Sequence, residues 1–356
     1  MYSRSLAGIC ELAHRTAALC PQLLIETLTT YARSPSHSPS MPICNLFFRQ
    51  LLVHPHGMQA PASELLGLPP ASDPNFQSAL RSAGVGIGAS CFIPRAGFVG
   101  GESGYLGNIA NLILCGIAVL VGLALAAAAI RRTAAVGRVE MTILFLMYAV
   151  VQGLQLADNS ALLKQGSLAL TWVTAVHVGM LVALFWVLVW VAFLSLQVVE
   201  DGTLLSLIPL FGIGIILAVG SGYIALDTGL TITNYFQSKN PAQIHSAWLF
   251  SLTIVWPAAA AAIYFIIQAG VVARVLREKK PLFTLLAAAF VFALGQAGYY
   301  ALSHRICTGT HAKIDGSWIA TLLETVTIGL IYASWTYITE DEWDDYTIGG
   351  ANSATY

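Results

Sequence analysis

GNIANLILCGIAVLVGLALAAAAI, residues 107–130, contains no charged side chain. It is long enough for a helix to cross the roughly 30 Å hydrocarbon layer of a bilayer, which takes about 20 residues. Six further apolar stretches follow, near 141–157, 168–197, 203–226, 246–273, 282–303 and 316–336, with short polar loops between them. In hydrocarbon a helix satisfies its own backbone hydrogen bonds, so the rhythm predicts an all-α polytopic membrane protein, a bundle of seven transmembrane helices over residues 107–336. The stretch at 141–157 is the weakest, interrupted by Gln152 and Gln155 and followed by Asp158. The stretch at 168–197 exceeds what a membrane requires and predicts a tilted or projecting helix.

Composition agrees with that reading. Hydrophobic residues make up 56% of the chain and charged residues 10%, against about 25% charged in soluble domains. A net charge of −1 leaves no electrostatic footprint for nucleic acid. Six cysteines without a C-x-x-C pair support neither a disulfide scaffold nor a zinc or redox motif.

Loop charge sets the expected orientation, because Lys and Arg are retained on the cytosolic side. Arg131, Arg132, Arg138, Arg274, Arg277, Lys279 and Lys280 fall on one side of the bundle, seven in all. Lys164, Lys239, Arg305 and Lys313, four in all, fall on the other. The N-terminus is therefore expected in the lumen and the C-terminus in the cytosol. Residues 1–106, rich in Ser, Pro and Gly, read as a lumenal and partly disordered segment. Glu11, His14 and Arg15 break any signal-peptide core, so the first span is expected to act as the insertion signal. Asn45–Val53 reads as a short amphipathic helix or as part of a loosely packed tail. Residues 337–356 form an acidic cytosolic tail.

A seven-helix bundle serves receptors, pumps, transporters, hydrolases and chaperones, so the ionisable residues must choose. Glu324 lies mid-span in WIATLLETVTIGL. A carboxyl at that depth is costly and is expected to face the interior with a partner. It reads either as a proton, ion or client site, or as a hydrogen-bonded acid that fixes packing. His177, in TAVHVGM, lacks a second His, Asp or Glu at helical spacing and reads as an interhelical hydrogen bond rather than a metal ligand. The last span lacks the lysine a retinal Schiff base needs, since Lys313 lies outside it. Pro209 and Pro257 do not form the paired broken helices of a transporter. No catalytic constellation, cofactor site or small-molecule substrate is expected.

The polar loops are more distinctive. Glu200 and Asp201 precede the fourth span, where carboxylates complement a helix N-terminus, and Asp315 stands in the same relation to the seventh. After the last span, Glu340, Asp341, Glu342, Asp344 and Asp345 surround Trp343 and are followed by Tyr346. That run reads either as a solvated end or as a docking segment for a basic surface. With Glu200, Asp201 and Asp315 it makes up the candidate client-contact set.

Several words in these loops, in order, carry a resemblance: GNIAN, AAVGRVEM, KQGSLAL, TAVHVGMLVALFW, QVVEDGTLLSLIP, WPAAAAAIYF, ICTGTHAKIDGSWIATLLET and ITEDEWDDY. From about Gly107 to Tyr346 the chain resembles the fungal chitin synthase export chaperones, polytopic proteins of the endoplasmic reticulum membrane. It departs from them at the N-terminus, where Ile9–Cys10 and Pro42–Ile43–Cys44 look like two ends of one family word held apart by an insertion near 16–41. Lys164 also stands where an acidic residue is expected. The resemblance implies a non-enzymatic chaperone, embedded in the lipid bilayer, that assists folding and export of a chitin synthase and so supports cell-wall synthesis. The rival class is a seven-helix receptor or transporter. On the orientation above, Cys10, Cys20, Cys44, Cys91 and Cys307 face an oxidising lumen, and disulfides are expected among Cys10, Cys44, Cys91 and Cys307.

Overall fold

The computed structural model describes residues 109–160, 163, 167–236, 246–310 and 314–351, except 134, 234 and 301, with isolated positions (43, 45, 46, 49, 50 and 74) before them; from residue 340 onward it describes the backbone only. The described residues form helices joined by turns and short loops. Among the described residues seven helices are long and apolar enough to cross a membrane: α1 (Ile109–Arg131), α2 (Arg138–Asn159), α3 (Leu168–Leu194), α4 (Leu204–Leu230), α5 (Ala247–Leu276), α6 (Lys279–Tyr300) and α7, whose apolar part is Gly316–Thr339. A short helix, Ser303–Gly309, links α6 to α7.

Packing follows a ring. Helix α1 packs on α2, α2 on α3, α3 on α5, α5 on α6, α6 on α7, and α7 returns to α1, while α4 lies against α3 from outside. Phe145, Met141, Leu144, Leu188 and Ile331 belong to the buried core. The outward faces carry large apolar side chains, such as Ile113 and Leu120 on α1, Ile216 and Val219 on α4, and Phe283 and Phe290 on α6. A bundle that is apolar outside as well as inside is built for lipid.

Local chemistry explains the irregular places. Pro257 lacks an N–H and cannot complete an α-helical ladder. The chain answers with a π turn, Ser251–Val255, immediately before it, and a second π turn, Val272–Leu276, ends α5. Trp256 anchors this helix by donating from Nε1 to the Val182 carbonyl on α3, 3.1 Å away. Helices α3 and α4 approach so closely that a Cβ on Gly179 would lie 2.5 Å from the Ala218 carbonyl oxygen.

The polar interruptions that make α2 the weakest span turn inward. Gln152 and Asp158 are buried, and α2 spans its full length as one helix. Helix α7 does not stop at residue 336. Its backbone stays helical to Ala351, so the acidic run at 340–345 continues the last span rather than beginning a separate strand of coil. The side chains of that run lie outside the described residues, as do Cys10, Cys20, Cys44 and Cys91 and most of the N-terminal segment.

Candidate functional site

Two polar clusters organise the bundle, one in its interior and one at the end that carries the basic loops.

The interior cluster starts from Glu324. Gln296 on α6 donates from Nε2 to its Oε1 at 3.0 Å. The next residue of α7, Thr325, shares a hydrogen bond of 2.8 Å with the Tyr148 hydroxyl of α2. Gln155 of α2 donates to Thr321 at 3.3 Å. The carboxyl expected to have a partner has one, and three helices meet around it.

His177 is not alone. Its Nδ1 lies 2.6 Å from Asp158 Oδ2, across the α2–α3 interface. Thr174, one turn earlier on α3, donates to the other Asp158 oxygen at 2.9 Å. Asn45, from the segment preceding the bundle, donates to Thr174 at 3.3 Å. This is the interhelical hydrogen bond expected of His177; its partner arrives from another helix, so local spacing within α3 could not name it. Neighbouring Leu46 is fully buried, so this part of the N-terminal segment packs on the bundle.

At the basic end the missed residue is Glu140, in the first turn of α2 and fully buried. Its Oε1 accepts from the Gly202 amide at 2.9 Å and from the Ser206 hydroxyl at 2.6 Å. Asp201 reciprocates by accepting from the Gly137 amide at 2.7 Å. The α1–α2 and α3–α4 loops are therefore clasped by two carboxylates pointing in opposite directions. Gly137 and Gly202 both have positive φ, 71° and 67°, a region in which glycine carries no steric penalty. Trp335 of α7 adds a third strap by donating to the Val136 carbonyl at 2.9 Å.

The dipole-cap role expected of Glu200 and Asp201 is not what the geometry shows. Thr203 is the N-cap of α4 and makes no side-chain cap bond. The Glu200 side chain is exposed, and its backbone carbonyl accepts from Thr203 Oγ1 at 2.8 Å. Asp315 does cap α7: its Oδ1 accepts from the Ser317 amide at 3.1 Å and from the Ser317 hydroxyl. Beside it, the Gly316 amide donates to Ser303 Oγ at 3.0 Å. A Cβ on Gly316 would fall 2.7 Å from the Gly298 carbonyl oxygen. Cys307, in the short helix, is fully buried and disulfide-bonded, whereas Cys115 is free.

These contacts give the loop words a physical meaning. AAVGRVEM supplies Gly137 and Glu140, QVVEDGTLLSLIP supplies Asp201, Gly202 and Ser206, and the stretch before α7 supplies Asp315, Gly316 and Ser317. They are the residues that lock one helix end to another.

Comparison with known proteins gives the same reading. The chitin synthase export chaperone family (Chs7) matches residues 31–348. That match begins inside the segment read as an insertion. Among curated relatives, the chitin synthase export chaperone of Phaeosphaeria nodorum is 30% identical over 60% of this chain and 63% of its own. That of Kluyveromyces lactis is 28% identical over 60% and 66%, and that of Cryptococcus neoformans 27% identical over 60% and 58%. The matched region is therefore less than two thirds of each of these relatives' length. No solved structure matches. With the family matching nearly the whole span of the bundle and its clasped loops, the chain belongs to the chitin synthase export chaperone family.

Proposed function

We propose that this protein is a multi-pass chaperone of the endoplasmic reticulum membrane whose client is a chitin synthase. The observation that carries the reading is the family match over residues 31–348, which includes both clasped loops. The function asks for no bond-making chemistry. A large polytopic client exposes small and polar helix faces until it is assembled, and a partner bundle can cover them, because membrane helices associate by close packing and interhelical hydrogen bonds.

The structure supplies a surface suited to this. Helix α4 lies outside the ring, and Gly212 and Gly220 on it are exposed with open space where a Cβ would stand. The alanine run at 258–262 divides: Ala260 and Ala261 are buried, while Ala259 and Ala262 are exposed. The acidic run at 340–345, on the helical backbone that continues the last span, is proposed as a further contact, because opposite charge gives selectivity and an aromatic such as Trp343 can add buried area.

The deciding experiment is deletion of the gene followed by imaging of each tagged chitin synthase. Retention of one synthase in the endoplasmic reticulum, reversed by the wild-type gene, is the expected result. Normal delivery of every synthase to the cell surface overturns the proposal.

A further inference from the structure

The interior of the ring holds a half-open cavity of about 450 Å³ between α2, α3, α5, α6 and α7. Protein interiors are ordinarily close-packed, and this volume lies within the range of ligand pockets, about 300–1,000 Å³. Two turns of a client helix, roughly 10 Å across, do not fit. The cavity is therefore not where a client helix packs.

Its lining has two poles. One is hydrocarbon: Leu181, Phe185, Phe265, Phe292 and Ile328 line it. The other is polar and rich in acceptors, with Gln152, Gln155, Gln296 and Glu324. Gln152 is only 2% exposed, and its Oε1 is buried with no hydrogen-bond partner. An unpaired amide oxygen in a membrane interior is costly, and a donor supplied by an occupant removes that cost. Among the described lining residues there is no Lys or Arg, and the imidazole of His177 is already held by Asp158, so an anionic head meets no cation that lacks its own carboxylate. The wall on the α5 side is the π turn itself: Thr253 and Ile254 belong to it, and Pro257 and Ala258 follow. Such turns widen a helix and recur at binding sites.

The geometry points to a binding site, inside the bundle, for an amphipathic molecule with a hydrocarbon body and a hydrogen-bond-donating head, a hydroxyl or an amine. The head donates to Gln152 Oε1 beside Glu324, and the body lies along Phe185 and Phe292.

Photoreactive diazirine derivatives of a long-chain alcohol, a long-chain amine and a fatty acid of equal chain length test this on the purified full-length protein. Saturable labelling of cavity residues by the alcohol, the amine or both is expected, and which of them labels identifies the head. Gln152→Leu should weaken that labelling by about 2- to 10-fold, the worth of one hydrogen bond. Ala258→Phe, at an exposed position on the cavity wall, should abolish it. Both variants are first checked for an unchanged melting temperature; if Ala258→Phe fails to fold, Gln152→Leu carries the test. Equal labelling of the cavity by the fatty acid overturns the site. So does labelling confined to the lipid-facing residues of α1, α4 and α6, or labelling indifferent to the substitutions. Because no client is present, failure here leaves the chaperone reading standing, and the reverse also holds.

Discussion

Single side chains hold this bundle at two depths, and the two differ in what their loss should do. Glu140 carries two hydrogen bonds from a different helix-loop unit. Glu140→Leu strands the Gly202 amide and the Ser206 hydroxyl, and each unsatisfied buried group costs about 1–3 kcal/mol. The expected outcome is a lower melting temperature and a smaller yield of folded protein in detergent, with Glu140→Gln losing much less. Equal stability of the Leu variant would show that the clasp is ornamental. Glu324 should behave differently. Glu324→Gln keeps the shape and a carbonyl to accept from Gln296, so folding and client export should remain near normal. Glu324→Leu should impair both by about 1–3 kcal/mol of lost pairing, read as melting temperature and as the fraction of synthase leaving the endoplasmic reticulum. Export lost in the Gln variant at a normal protein level would assign the role to the charge or its proton. The sequence disclosed Glu324 because a carboxyl in a greasy run stands out. It did not disclose Glu140, which reads as one polar residue in a loop word until the fold brings Gly202 and Ser206 to it.

At the scale of helices, the seven spans were legible because hydrophobic length is a strong one-dimensional signal. Observed ends differ from those expected by a few residues, as for α1, expected at 107–130 and found at Ile109–Arg131. What hydropathy could not convey is which helix neighbours which. The ring order, and the place of α4 outside it, depend on close approaches such as Gly179 against Ala218. The inward polar stripe of α2 was visible in principle, since Gln152, Gln155 and Asp158–Asn159 recur every three or four residues, one face of a helix. Glycines now separate folding from function. Gly179→Ala forces α3 and α4 apart, and overpacking of this kind typically costs about 1–3 kcal/mol. It should lower the melting temperature and client export together. A Cβ at Gly212 or Gly220 meets nothing within 4 Å, so Gly212→Leu and Gly220→Leu are the complementary variants. They should leave the melting temperature unchanged and, if α4 receives the client, reduce the synthase recovered with the chaperone. Unchanged recovery would direct the search to the outward faces of α1 and α6 or to the acidic end of α7. Truncation after Ile338 isolates that last surface: a stable protein that exports synthase at the normal rate would mean that the acidic end is only solvated.

For the molecule as a whole, two independent features bear on which way it faces. One is the excess of basic residues in the α1–α2 and α5–α6 loops, which belong to the end clasped by Glu140 and Asp201. The other is covalent. Cys307 lies in the short helix between α6 and α7, at the opposite end, and it is disulfide-bonded. Disulfides persist in oxidising compartments and are rare in the cytosol. From both features we propose that the Cys307 end faces the lumen and the basic end the cytosol, with the N-terminus lumenal because the span count is odd. Since Cys115 is free, the partner of Cys307 is to be sought among Cys10, Cys20, Cys44 and Cys91. Cys44 is the expected one, because its neighbours Ile43 and Asn45 already touch the bundle, with Cys91 next. In sealed microsomes, a tag after residue 356 should be digested by added protease and a tag before residue 1 should be protected. Non-reducing mass spectrometry should find the Cys307 peptide joined to an N-terminal one. Cys307→Ser should cost about 2–4 kcal/mol, as is typical for a lost disulfide, and release that segment to proteolysis once the membrane is opened. A protected C-terminal tag together with an intact Cys307 disulfide would break the link between the two features. It would show that loop charge misreports the orientation of this bundle.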